Sequence, residues 1–219
     1  MARPVKKTPD EWRKDILNAA RKLFASKGYE DTSISDIMDM AGGAKGTFYR
    51  CFQSKEEVMR ALGNQMFFEN NPFDAIKERN DLNGLQKMKL LLMLNQSDAE
   101  RNQLNMQAIP ILKDPHILAT AVEENRRVLT PLWLELLEEG KNDGSIKTEY
   151  AKELSELLPL INFWLMPSVF PATEKELHHK YHFVIEVLEH MGLPIFDDEA
   201  VLFTKKFITD ISKKGENET

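Results

Sequence analysis

Signals for the start and the end of helices recur along the whole chain, and they constrain its fold more than any other feature. At the first of them, Thr8 and Glu11 have the spacing of a capping box, in which each side chain accepts a hydrogen bond from the other residue's backbone N–H. Residues 54–57 and 173–176 repeat the pattern. Apolar residues between these points recur with the period of a helix face, and no segment has the alternation of a strand. The sequence therefore predicts an all-α protein.

The composition narrows the class of protein. With 42% hydrophobic and 29% charged residues, the chain is typical of a globular protein. No segment approaches the ~18 consecutive apolar residues of a membrane span, and the first residues lack the apolar stretch of a signal peptide. Cys51 is the single cysteine, which excludes an internal disulfide and fits a reducing compartment. We therefore expect a cytoplasmic protein that does not bind membranes.

Charge is distributed unevenly. Residues 1–60 contain 12 Lys and Arg against nine Asp and Glu, although the whole chain has a net charge of −6. A basic segment at one end of an acidic chain is expected when only that end meets a polyanion such as nucleic acid. The difference is small, so it supports a nucleic-acid function only together with a specific motif.

Residues 32–52 have the pattern of two short helices joined by a glycine turn. Ser33 can cap the first helix, Gly42 and Gly43 can end it, and the second helix spans roughly residues 44–52. A helix-turn-helix needs this arrangement, because its second helix must be held at a steep angle to enter the major groove of DNA. The apolar side of the second helix should face inward. The residues left on or near its outer face are Lys45, Gly46, Thr47, Tyr49 and Arg50.

The side chains on this outer face suit DNA. Lys45 and Thr47 can reach base edges, and Tyr49 and Arg50 can donate hydrogen bonds to phosphates or bases. Gly46 has no side chain, so the backbone can approach DNA closely at the start of the helix.

The string TSISDIMDMAGGAKGTFYRCFQSKEE at residues 32–57, preceded by ILNAARKLFASKGYE, resembles the TetR family of bacterial transcriptional regulators. The resemblance covers roughly residues 10–65. It implies a three-helix, helix-turn-helix DNA-binding domain over residues 1–55 and a larger helical effector-binding and dimerisation domain over residues 56–219. It also implies phosphate contacts from Thr32 or Ser33 and from Lys55, with the outer-face residues of the second helix in the groove.

Two residues depart from the family pattern. Gly43 stands where an apolar turn residue such as Val is usual, which predicts a looser turn. Ala44 stands where Ser or Thr is common, which removes one hydroxyl that could contact DNA.

A dimer is expected, because one recognition helix contacts too few base pairs for useful specificity. The very apolar segment 154–166 and the helix over residues 174–191 are the best candidates for a symmetric four-helix interface, and the resemblance points to the same helices. Simple core packing is the alternative interpretation. The predicted dimerisation residues are Leu154, Leu157, Leu158, Ile161, Leu165, His182 and Ile185.

The resemblance further implies a pocket in the larger domain for a small effector, whose binding alters the separation of the two DNA-reading domains. An apolar or amphipathic effector is expected, because Met and aromatic side chains form adaptable apolar pockets. The same residues could instead be ordinary core. The predicted pocket residues are Met66, Phe67, Met88, Met106, Trp133, Phe163 and Trp164.

No catalytic or metal-binding motif accompanies these features. His178, His179 and His182 lie close in sequence, but no Cys or well-placed carboxylate completes a ligand set, so we predict no metal site and no cofactor. Nucleophile, zinc-protease and phosphate-loop motifs are absent, which argues against an enzyme. The predicted function is a repressor that a small effector releases from a palindromic double-stranded operator. The alternatives are a TetR-like factor without ligand control, architectural or regulated by a protein partner, and a ligand-dependent activator.

Overall fold

The computed structural model describes residues 7–69 and 71–196, and every regular element within these ranges is a helix. The all-α prediction is confirmed. The spacing of Phe203, Phe207, Ile208 and Ile211 in the sequence predicts a further helix over about residues 198–213, which lies outside the described residues. Within the described part of the chain, no helix is both long and apolar enough to cross a membrane. The helices are α1 (Pro9–Lys27), α2 (Ile34–Ala41), α3 (Lys45–Cys51), α4 (Lys55–Glu69), α5 (Pro72–Lys77), α6 (Gly84–Ser97), α7 (Ala99–Ala108), a 3₁₀ turn (Pro110–Lys113), α8 (Pro115–Asp143), α9 (Ala151–Trp164) and α10 (Glu174–His190).

The helix starts follow from local capping. The capping boxes predicted at Thr8 and at Thr173 form, with bonds in both directions. At α4 only half of the predicted box forms: the Ser54 hydroxyl accepts from Glu57 N at 3.3 Å. The Glu57 carboxylate accepts instead from Gln53 N at 2.7 Å, one residue earlier than predicted. The side chains of Ser54 and Glu57 therefore both cap the start of α4, but Glu57 accepts its hydrogen bond from Gln53 N and not from Ser54 N.

The chain divides into two compact units. The first comprises Met1–Asn71 and Ala99–Ile111, and the second comprises Pro72–Asp98 and Leu112–Thr219. The first unit includes α4 and α7, because Leu62 and Leu104 of these helices share one apolar core with Ile16 and Phe24 of α1. The functional division predicted between residues 55 and 56 falls at the start of α4, whereas the compact unit keeps α4 with the helices before it.

In the second unit, α8 packs against both α6 and α9. Gly84 and Gly140 permit the close approach of α6 to α8, because a Cβ atom on Gly84 would overlap the backbone of Gly140. The ammonium of Lys87, a buried residue of α6, lies 2.6 Å from the carboxylate of Glu139 on α8. Pairing of this kind offsets the cost of burying a charge.

Candidate nucleic-acid interface

A tight turn between α2 and α3 determines where α3 lies. Gly42 adopts a left-handed conformation, with φ of +75°, and its N–H ends α2 by donating to Asp39 O. A residue with a side chain adopts this conformation at a cost of roughly 1–2 kcal/mol, which explains glycine here. Ala44 is extended, and α3 begins at Lys45. The predicted pair of short helices with a glycine turn is therefore present, with α3 one residue shorter at each end than predicted.

The second glycine of the turn is closely packed. A Cβ atom on Gly43 would lie 2.6 Å from Cε of Met38 and 2.7 Å from Cζ3 of Trp12, which is too close for any real contact. The prediction of a looser turn is therefore wrong. Neighbouring side chains fill the space that a larger turn residue would occupy.

One side of α3 is buried. Phe48 and Phe52 are almost fully buried in the core of the first unit, and their ring centroids are 6.0 Å apart. Cys51 is only partly buried, and its Sγ lies 3.8 Å from Pro9 O. The two phenyl rings therefore set the face that α3 turns away from the protein.

The opposite side of α3 is exposed. Lys45, Gly46, Tyr49 and Arg50 are exposed, and 55% of Tyr49 is accessible to solvent. Thr47 differs from the prediction, because only 8% of it is exposed and its hydroxyl accepts a hydrogen bond from Arg50 at 3.0 Å. Thr47 therefore orients the Arg50 guanidinium and does not lie on the outer face.

Thr32 and Ser33, at the start of α2, are the two residues that the family resemblance gives as alternatives for a phosphate contact, and their environments differ. Thr32 is 1% exposed, and its hydroxyl donates to Gly28 O at 2.6 Å, so it cannot reach a phosphate in this conformation. Ser33 is exposed and caps α2. The Lys27 ammonium, 2.7 Å from the Asp36 carboxylate, and the bonds from Ser33 hold the pKa of Asp36 below its usual range. Asp36 is therefore ionised at neutral pH, beside Ser33.

We expect Thr32→Val to lower the free energy of unfolding by about 1 kcal/mol, because it removes a buried hydrogen bond while preserving the side-chain shape. The salt dependence of DNA binding should stay unchanged, because no phosphate contact is lost. Chemical denaturation and DNA titrations at several salt concentrations measure the two effects. A reduced salt slope with unchanged stability would mean that Thr32 does contact a phosphate.

Lys55 closes the loop between α1 and α2 onto the start of α4. Its ammonium donates to Tyr29 O at 2.7 Å and to Glu30 O at 3.3 Å, and it lies 4.1 Å from the centroid of the Tyr29 ring. Burial raises the pKa of Tyr29, so its hydroxyl keeps its proton and donates to Glu56 at 3.0 Å. An ammonium has three N–H donors. A phosphate contact by the third donor stays a prediction.

Known proteins share this arrangement. Residues 16–62 match the sequence profile of bacterial regulatory proteins of the tetR family. The chain is 29% identical over 153 residues to the transcriptional repressor KstR2 of Rhodococcus jostii, a match that covers 65% of this chain and 72% of KstR2. Residues 16–62 therefore belong to a DNA-binding domain of the TetR family. The chain is a helix-turn-helix DNA-binding transcriptional regulator, and α3 is the second helix of that motif.

Two further relatives differ in how much of the chain they match. The dhaKLM operon transcriptional activator DhaS of Lactococcus lactis is 35% identical over 100 residues, or 46% of this chain and 49% of DhaS. A TetR-family transcriptional regulator from Pectobacterium atrosepticum has the same fold, with a TM-score of 0.60 at 19% identity over 84% of this chain and 96% of that protein. The likeness in fold therefore extends well beyond the DNA-binding helices.

The predicted dimerisation residues fall into three groups by their exposure. Leu154 and Leu158 are buried within the second unit, so they stabilise the subunit itself and cannot lie on an exposed interface. Leu157 and His182 are exposed. The partly buried members are Ile161, Leu165 and Ile185.

Three large apolar residues on and between α9 and α10 were not among the predicted interface residues. Leu160 is 42% exposed, Phe170 is 48% exposed and Phe183 is 56% exposed. The Phe183 ring makes an edge contact with Trp164, with centroids 5.8 Å apart. A signal for Leu160 was present, because it follows Leu157 by three residues and forms a second apolar stripe on α9 beside the buried one.

The predicted effector-pocket residues divide between the two compact units. The first unit contains Met66, which is buried in its core, and the partly buried Phe67 and Met106. In the second unit, the Trp133 ring makes an edge contact with Phe73 at 5.2 Å between centroids. The other predicted pocket residues of the second unit are Met88, Phe163 and Trp164.

Proposed function

We propose that this TetR-family regulator is a homodimeric repressor that a small apolar or amphipathic effector releases from a palindromic operator. The observation that carries the proposal is the two-sided α3, which buries Phe48 and Phe52 and exposes Lys45, Tyr49 and Arg50. Exposed cationic and hydrogen-bonding side chains on a rigid short helix suit the major groove. The chain's relatives are transcriptional regulators, and we propose no catalytic role for it.

The length of α3 supports a dimer. Seven residues extend over about 10 Å, which is enough for roughly three base pairs. A second copy of α3 on an adjacent half-site would double the number of bases read, and a twofold-symmetric protein would then prefer a palindrome. Lys45 and Tyr49 are proposed to read bases, and Arg50, held by Thr47, to bind a base or a phosphate.

The exposed apolar side chains of α9 and α10 support a dimer in which a second copy of this chain covers them. Leu157, Leu160 and Phe183 expose large apolar surfaces, with Trp164 against the Phe183 ring. Exposed apolar patches of this kind mark interaction sites. In a symmetric dimer the same two helices of each subunit would cover one another.

Phe183→Glu is expected to weaken the dimer by at least about 2 kcal/mol, or roughly 30-fold in Kd, because it places a charge in an apolar interface. Light scattering after size exclusion at micromolar concentration measures the change. Phe68→Glu, which alters an equally exposed phenylalanine on α4, is the matched control and should remain dimeric. Identical masses for both variants and the parent would contradict the proposed interface.

The proposed effector site is in the second unit, around Trp133 of α8. Met88 is fully buried in the same unit, and Met adapts readily to different ligand shapes. The Thr130 hydroxyl, one helical turn before Trp133, is buried and has no hydrogen-bond partner among the described residues. A polar group of an amphipathic ligand could therefore pair with Thr130 while its apolar part packs against the aromatic side chains.

Contacts between α7 and α1 offer a route from effector to DNA. Glu100 pairs with Arg21 through two bonds of 2.6 and 2.7 Å. Gln107 accepts from Tyr29 N at 2.8 Å and donates to Phe24 O at 3.2 Å. We propose that a ligand that moves α6 acts on α1 through α7, because only Asp98 separates α6 from α7 along the chain. Coupling between allosteric sites is typically about 1–3 kcal/mol.

The function is tested by fluorescence anisotropy with duplexes that tile the DNA upstream of the chain's own gene, at physiological salt with competitor DNA. Tight, salt-sensitive binding to one partly palindromic duplex, lost on addition of a small apolar ligand, would support the repressor proposal. Binding that is weak and uniform across duplexes would instead favour an architectural role. Specific binding that no ligand changes would favour control by a protein partner.

A ligand-dependent activator is the second candidate, because the similarity to DhaS matches a protein that activates transcription. The longer match is to a repressor, which favours repression. Transcription in vitro from the bound promoter, with and without the protein, decides between them. A rise in transcript on adding protein and ligand would replace repression by activation.

A further inference from the structure

Two adjacent residues near the start of α1 contact the two ends of α3, the proposed recognition helix. Trp12 packs over the turn that precedes α3, and Arg13 binds the last residue of α3. Both are partly buried, and both belong to the same compact unit as α3. Neither lies on the exposed face formed by Lys45 and Tyr49.

The indole of Trp12 occupies the position of a turn side chain. A Cβ atom on Gly43 would lie 2.7 and 2.9 Å from Cζ3 and Cη2 of this indole and 2.6 Å from Cε of Met38, so a side chain at this position would overlap both neighbours. Trp12 also packs against the core of the first unit, and the Lys7 ammonium lies 4.5 Å from its ring. A residue of α1 therefore supplies the apolar contact that the turn itself lacks.

Arg13 binds the other end of α3. Its guanidinium donates to Cys51 O at 2.9 Å, and its Cζ atom lies 4.1 Å from the centroid of the Phe52 ring. The last carbonyl groups of a helix have no partner within that helix, so an external donor stabilises the end. Planar stacking on an aromatic ring is a property of arginine that lysine lacks.

The recognition helix depends on such contacts because it has little stability of its own. It has only seven residues, and its N-cap residue, Ala44, has no side chain that can cap it. Helices of this length are not stable in water without tertiary packing. The direction in which Lys45 and Tyr49 project is therefore controlled by what holds the two ends of α3.

We propose that Trp12 and Arg13 are positioning residues for DNA recognition, which hold the N-terminal turn and the C-terminal end of α3 without contacting bases themselves. Trp12 and Gly43 form a matched pair in which the large side chain on α1 compensates for the missing one in the turn. The proposal rests on α3 reading DNA, as argued above.

An exchange of side-chain volume tests the Trp12–Gly43 pair. Trp12→Leu leaves a gap over the turn, and Gly43→Val places a side chain in the space of the indole. Each single variant should lose about tenfold or more in operator affinity relative to competitor DNA, a coupling size common for residues in contact. The double variant, Trp12→Leu with Gly43→Val, should recover most of that loss. Far-UV circular dichroism and thermal unfolding identify variants that fail to fold.

The outcomes separate this proposal from the function on which it depends. Operator binding by the parent protein tests the function alone, and its absence would refute that function. If the parent binds but the losses of the two single variants simply multiply in the double variant, the pair is not coupled and the proposal fails. Recovery of folding without recovery of operator specificity would also overturn it.

Arg13 is tested separately, so that the proposal does not depend on one pair. Arg13→Gln should lower specific affinity by about tenfold with an unchanged salt slope, because no phosphate contact is removed. Arg13→Lys should recover part of the loss, since an ammonium can still donate to Cys51 O. Lys14→Gln, which alters the exposed neighbouring residue, is the matched control and should bind like the parent. A salt slope reduced by about one in Arg13→Gln would show direct phosphate binding and refute a positioning role.

Discussion

Lys45→Ala is expected to weaken operator binding by about 1–3 kcal/mol, or roughly 5- to 150-fold, while leaving the protein at least as stable as before. Lys45 is exposed at the first position of α3, where a base-reading side chain would enter the groove first. A positive charge at this end of a helix opposes the helix dipole and costs about 0.3–1 kcal/mol at exposed sites. No acidic residue in the first turn of α3 offsets that cost. Removal of the Lys45 side chain should therefore weaken DNA binding and slightly stabilise the folded protein.

Two measurements distinguish this effect from a general loss of charge. Anisotropy titrations against operator and against competitor DNA give the specific affinity, and thermal unfolding gives the stability. Lys147→Ala, at an exposed position in the loop after α8, removes the same charge away from α3 and should retain operator affinity. Equal affinities for Lys45→Ala and the parent would mean that α3 does not enter the groove by its N-terminal end.

Phe48→Ala is expected to lower the free energy of unfolding by about 3–5 kcal/mol, because it leaves a large cavity in the core of the first unit. Phe48 is fully buried there, beside Phe52. Globular proteins have a total stability of about 5–15 kcal/mol, so this loss is a large share of it. Operator binding should be lost as well, since α3 would no longer dock on α1 and α2.

Tyr49→Ala is the matched control, because it truncates the next aromatic residue on the exposed side of the same helix. We expect a change of less than about 1 kcal/mol in stability, since exposed substitutions cost little, but a loss of about 1–3 kcal/mol in operator affinity. Chemical denaturation and DNA titration of both variants give the comparison. If Tyr49→Ala destabilised the protein more than Phe48→Ala did, the orientation of α3 would be wrong.

These two predictions concern opposite faces of one short helix. The buried face holds α3 in place, and the exposed face is proposed to read DNA. Thr47 belongs to neither face alone, because it is buried yet binds the Arg50 guanidinium. A substitution of Thr47 would therefore change both the packing and the orientation of Arg50, a side chain that is proposed to contact DNA.

Local hydrogen bonding made most helix boundaries predictable. Thr8, Ser33 and Thr173 begin helices because their side chains accept bonds from residues only three positions away. At the start of α4 the prediction was less accurate, because the Glu57 carboxylate accepts from Gln53 N and not from Ser54 N. A local pattern identifies the residues of a cap more readily than it identifies the particular N–H that each side chain binds.

Exposure was harder to predict within segments that are apolar throughout. Leu154 and Leu158 on α9 are buried, whereas Leu157 and Leu160 are exposed, although all four are leucines in one helix. Helical spacing separates two stripes but does not say which stripe faces the rest of its own chain. Thr32 and Ser33 differ for a similar reason, because burial of the Thr32 hydroxyl depends on the path of the backbone after Gly28.

By itself, the sequence determined the helical class, the position of the helix-turn-helix and, except for Thr47, the side chains on its outer face. These features depend on capping bonds and on apolar periodicity within a few residues along the chain. Only the tertiary structure decided that Gly43 belongs to a closely packed turn, because Met38 and also Trp12, which lies on another helix, fill the space beside it. The contact of Arg13 with Cys51 O has the same origin. Such contacts join residues distant along the chain, and no local pattern specifies which of them meet.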